Sequence, residues 1–228
     1  MWSKPLLLAL LVLAACEKPA EQSPFPKPNR PVSPIVSPRY SNEDTRDSVG
    51  EAETVMKLAD RREGRSVADI GAGEGYYTVR LAPLVGAKGR VLAEDIVPET
   101  RDALARRVQR ENLDNVAVKL GRPNDPQLPD GSFDRILMIH MYHEIESPSE
   151  FLWHVRDDLK KGGRVVVVDA DRTTDRHGTP PRLLICEFAA LAYELTRFER
   201  LTDSESYFAQ FEPAGPKPEP GKIPSCPA

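Results

Sequence analysis

The sequence predicts an α/β fold of the doubly wound kind, a mainly parallel sheet with helices on both faces, in a single domain. Three observations carry that prediction. Between residues 41 and 212 short apolar runs alternate with stretches of helical periodicity, as strands joined by crossover helices do. The run Val165-Val166-Val167-Val168 is unbroken, as expected of a central strand covered on both faces. The apolar run of Val67, Ala68 and Ile70 is followed at once by Gly71, Gly73 and Gly75, so a buried strand ends in a glycine turn and leads into a helix.

Each element follows in order. Residues 1–15 read as a signal to be removed: Lys4 gives a positive start, and the apolar run from residue 6 is too short to span a bilayer. Residues 16–40, after a cysteine at position 16, are a proline-rich linker, because seven prolines and few large apolar groups cannot build a core. The domain proper is expected over 41–212. Residues 43–60 place Val49, Ala52, Val55, Met56 and Ala59 at roughly helical spacing. The first strand and its helix follow, the helix ending near residues 83–86. A second strand spans 90–96, and a helix spans 98–112 with Pro98 suited to its first turn. Strands at 116–120 and 133–139, a helix at 148–159 and the valine strand at 163–169 come next. A helix at 181–191 leads to strands at 194–200 and 207–212, and residues 213–228, with six more prolines, read as a disordered tail.

The glycine turn is a nucleotide cradle, because backbone without side chains approaches a ligand closely and the helix start offers unpaired N–H groups. Its spacing decides which cradle. The dinucleotide fingerprint needs a third glycine at position 76, which is Tyr76, and the pattern here is G-x-G-x-G behind Asp69. That disfavours a nicotinamide cofactor. The string DIGAGEG resembles the first motif of class I S-adenosylmethionine-dependent methyltransferases, and the resemblance extends over most of residues 43–212. It implies a seven-stranded sheet closed by a hairpin, S-adenosylmethionine as cofactor, Asp69 at the methionine end of the donor, and Gly71, Gly73 and Gly75 lining it.

Asp95, at the end of the second strand and about twenty residues past the turn, is placed to accept both ribose hydroxyls of a nucleoside. The loop Gly121-Arg122-Pro123-Asn124-Asp125 lies where relatives bond the adenine amine, a role open to Asn124 or Asp125. Residues 130–145 resemble the family's fourth-strand motif, at the expected distance from the first. Since open sheets bind ligands at the carboxyl ends of strands where the order reverses, His140 and His143 are the candidate catalytic bases, with Glu144 as an orienting neighbour. His140 is equally a candidate for lining the donor's methionine part.

A net charge of −4 without a long basic block gives no attraction to nucleic acid. His140, His143 and Glu144 with Asp169 and Asp171 have the residue types of metal ligands, but H-x-x-H-E lacks the helical i, i+4 pair, and no metal is expected. Cys186 and Cys226 are able to pair in an oxidising compartment, although Cys186 reads more simply as a small buried residue. Leu13-Ala14-Ala15-Cys16 resembles a bacterial lipoprotein signal, which implies lipid on Cys16 and membrane anchoring on the outer, periplasmic side. The first function expected is methyl transfer from S-adenosylmethionine to an acceptor that the sequence does not identify. Export conflicts with a charged donor made inside the cell, so the alternative is an exported binding module that keeps the fold without turnover.

Overall fold

A computed structural model describes residues 23–35, 43–60, 62–202 and 205–227. Cys16 and the signal expected over residues 1–15 lie outside the described residues. Seven strands form one sheet: β1 (Ser66–Ile70), β2 (Arg90–Asp95), β3 (Val116–Leu120), β4 (Phe133–Ile139), β5 (Leu159–Ala170), β6 (Tyr193–Arg200) and β7 (Ser206–Pro213). Their order is β3-β2-β1-β4-β5-β7-β6. Every neighbouring pair is parallel except the two that involve β7. Order reverses between β1 and β4, and the register of Ile70 with Glu94 and with Met138 brings the carboxyl ends of β1, β2 and β4 to one edge. A crevice at that edge is the ligand position of such sheets.

The valine run behaves as its composition dictates. Val165 and Val167 face one apolar layer with Ile136, Met138, Phe151 and Phe188, while Val166 and Val168 face the other with Leu137, Leu81, Val85 and Phe208. Full burial of each such side chain is worth about 1.5–3 kcal/mol. The helix α1 (Glu43–Ser48) buries no residue and lies against α2 (Glu51–Leu58), which with α3 (Tyr76–Val85) closes one layer, while α5 (Pro148–Asp158) and α6 (Pro181–Ala190) close the other; α4 (Pro98–Arg110) covers β2 and β3.

Four expectations are corrected. The stretch 43–60 is two helices rather than one, broken at residues 49–50. The linker is no free spacer over residues 23–35: Arg30 is buried, its Nε bonds Glu187 Oε1 at 2.9 Å, and Phe25 packs edge-on against Trp153. The tail is not disordered over 213–227, since Ile223 is buried and Trp153 donates its indole N–H to the Pro218 carbonyl at 2.9 Å. Cys186 is bonded to Cys226 across a separation of 40 residues. Proline-rich chain has less conformational entropy to lose on ordering, so these contacts have less to offset.

Candidate active site

The cradle is built where β1 turns into α3. Gly71, Gly73 and Gly75 all have positive φ, at 64°, 57° and 91°, a conformation that side chains resist. Their tasks differ. A methyl group on Gly71 would meet Met141 Cγ at 2.9 Å, and one on Gly75 would meet Leu104 Cδ1 at 2.4 Å. These two glycines therefore let the turn pack against the chain after β4 and against α4. Gly73 points its N–H at Asp95 Oδ2 at 3.0 Å, and Val97 N–H reaches Asp95 Oδ1 at 2.9 Å. Burial raises the Asp95 carboxyl above its ordinary value, against the pull of these two N–H groups. Each oxygen keeps a further lone pair, so the two acceptors fit the hydroxyls of a diol such as ribose.

Asp69 lies deeper, only 2 % exposed, with Oδ2 taking the Thr78 hydroxyl at 2.6 Å. Burial pushes it up to about 6. It forms the floor of the turn. The adenine-loop candidates are committed locally: Asn124 donates to Glu150 Oε2 at 3.1 Å, and Asp125 Oδ1 accepts Gln127 N–H at 2.7 Å. What abuts the Asp95 strand end is Gly121, whose N–H bonds the Asp95 carbonyl at 3.1 Å.

The two candidate bases part company. His140 has φ 56°, a strained setting for a non-glycine residue, and its N–H bonds the Val168 carbonyl at 2.7 Å. Its Nε2 lies 3.2 Å from Glu51 Oε2 on α2. Glu51 also receives Arg46 at 2.6 Å and the Tyr77 hydroxyl at 2.9 Å. Burial opposes its charge, but His140 and Arg46 bring its carboxyl down to about 2. His143 instead turns Nδ1 to Asp169, 3.0 and 3.1 Å from its two oxygens, and is 3 % exposed. The carboxylate at the His140 ring is that of Glu51, and the one at the His143 ring is that of Asp169. Sequence reasoning missed Glu51, which reads as one more acid on an amphipathic helix, and grouped Asp169 with His143 only as a residue type that ligates metals, not as the partner of its ring.

A parallel-sheet domain with a carboxylate-backed glycine cradle at its switch point has the class I methyltransferase fold. Residues 68–167 match the family model described as a methyltransferase domain. Over those residues the chain is similar to methyltransferase domains. A protein-L-isoaspartate O-methyltransferase of Methanothrix thermoacetophila is 31 % identical over 110 residues, 48 % of this chain and 50 % of the relative. Another of that name, from Methanocella arvoryzae, is 36 % identical over 114 residues, covering 50 % and 57 %. The chain spans about half the length of the curated relatives it matches. A SAM-dependent methyltransferase structure from Aquifex aeolicus superposes with a TM-score of 0.69 at 23 % identity, over 73 % of this chain and 92 % of that one.

Proposed function

We propose that the protein transfers a methyl group from S-adenosylmethionine to an oxygen of an acceptor. The observation that carries this reading is the Asp95 carboxylate, held by the Gly73 and Val97 N–H groups beside the glycine turn with lone pairs left for two hydroxyls. The names of the similar O-methyltransferases support an oxygen as the acceptor atom. When bound, the donor supplies an electrophilic methyl on a sulfonium, so the residues of this chain have to align, exclude water and remove a proton. His140 is assigned the last task. With Nε2–H directed at the carboxylate of Glu51, its Nδ1 takes the proton of a hydroxyl acceptor.

Asp95→Ala is expected to weaken S-adenosylmethionine binding by about 1–3 kcal/mol, the usual cost of losing a charged acceptor. Calorimetry on the purified full chain measures this, and methyl transfer is followed by release of S-adenosylhomocysteine. Absence of donor binding in the wild type would refute the proposal; binding untouched by Asp95→Ala would mean that the cradle lies elsewhere.

We further propose that the protein is a lipoprotein anchored through Cys16. The Cys186–Cys226 disulfide supports an oxidising compartment. Cys16→Ala is expected to move the protein from the membrane to the soluble fraction on cell fractionation, with the fold intact. Unchanged fractionation would count against the anchor. In that compartment the donor has to be supplied from inside the cell, so the ligand carried by protein purified from its host is the informative measurement.

A further inference from the structure

We propose that His143, Glu144 and His177 form a binding site for a divalent metal ion of the zinc class. Their ligand atoms all lie within 4.8 Å of one another. Two imidazoles and one carboxylate are the nitrogen and oxygen donors that such an ion takes at bonds of about 2.0–2.2 Å. Three protein ligands leave a coordination position for water or a substrate oxygen.

The surroundings are those of a metal-ligating histidine. Asp169 is fully buried, and its oxygens already accept the Ala170 N–H at 2.9 Å and the Thr179 hydroxyl at 2.7 Å. A carboxylate so placed takes the remaining hydrogen bond from Nδ1–H of His143, which fixes the tautomer and leaves the Nε2 lone pair for a ligand. A carboxylate behind a histidine is the usual outer support of a metal site. The His177 ring stands edge-on to the His143 ring with centroids 5.6 Å apart. His177 occupies the left-handed region, at φ 54° and ψ 59°, just past the short turn Thr174–Arg176. Glu144 and His177 are half-buried, so solvent reaches the cluster from one side.

The linker residues complete the enclosure. Ser33 N–H bonds the His143 carbonyl at 3.1 Å, the His177 N–H reaches Ser33 Oγ at 3.3 Å, and the Ser33 hydroxyl bonds the Thr174 carbonyl. Thus the segment that reads as a spacer ties the two histidine-bearing turns together. The site stands at the ends of β4 and β5, outside the Gly73–Asp95 cradle, and does not depend on the methyl-transfer reading.

The test is titration of untagged, chelator-treated full-length protein with Zn²⁺ by calorimetry and with Co²⁺ by visible absorption, in the absence of S-adenosylmethionine. Uptake of one equivalent is expected, with Co²⁺ bands that Zn²⁺ abolishes. Glu144→Gln and His177→Ala should each weaken Zn²⁺ binding by at least ~10-fold. Urea unfolding of the same variants without metal should match that of the wild type and so certify the fold. Both half-buried positions are used because His143→Ala would strip the partner from a buried aspartate. No stoichiometric uptake, or uptake unchanged in both variants, would overturn the proposal, whatever the outcome for methyl transfer.

Discussion

His140→Ala is expected to lower turnover by about 10²–10⁴-fold, the usual contribution of a positioned general base, while S-adenosylmethionine affinity stays near the wild-type value. The expectation rests on one pairing, His140 Nε2 to Glu51 Oε2 at 3.2 Å, with Glu51 itself held anionic by Arg46. If Glu51 acts through His140, Glu51→Gln should lower turnover too, by a smaller factor, because an amide orients the ring without stabilising its cation. Glu51 is then a positioning residue. The readout that separates proton transfer from mere packing is the pH–rate profile, whose low-pH limb should vanish in His140→Ala. Loss of donor affinity with turnover per bound complex preserved would instead assign His140 to the methionine end of the donor.

The divergence of His140 and His143 shows where sequence legibility ends. The strand that delivers both rings is written locally: Phe133 to Ile139 is an apolar run, and its position beside β1 follows from crossover topology. The same holds for the glycine turn and the valine strand, whose spacing reports backbone geometry within a few residues. The partners of the two rings are set by which distant element crosses the sheet edge. Glu51 is 89 residues before His140, and Asp169 is 26 after His143. His177 was absent from every pattern because it joins His143 and Glu144 only through the fold of the loop after β5. Composition misled in the tails for a related reason. Counting prolines measures the lack of core-forming residues, but Arg30, Trp153 and Cys226 are single anchors that no average registers.

Glu94→Gln is expected to stabilise the protein, increasingly so as pH rises. Glu94 precedes Asp95, the last residue of β2, and is 1 % exposed, and its Oε1 has no hydrogen-bond partner among the described residues. It fills the space where Gly121 lacks a side chain, since a Cβ there would fall 1.4 Å from that oxygen. Burial, reinforced by the charge of Asp95, pushes its carboxyl from 4.5 up to about 8. The folded protein therefore holds this proton more tightly than the unfolded chain does. Stability falls as pH rises from the unfolded value of 4.5 towards the folded value of about 8, and the loss is complete above it. At 1.36 kcal/mol per pH unit, the penalty is about 3 kcal/mol at pH 7 and about 4–5 kcal/mol above pH 8. Glutamine keeps the shape and an acceptor for the turn but cannot ionise, so its advantage should be near zero at pH 4 and approach these values at pH 7 and 9. Glu51, brought down to about 2, works in the opposite sense: its stabilisation is present above 4.5 and lost as pH falls through 2. The difference between wild type and variant cancels that contribution and isolates Glu94. Urea unfolding at pH 4, 7 and 9 measures it. A gain independent of pH would trace the effect to packing, and no gain at pH 9 would show that Glu94 finds a partner for its charge in the folded protein.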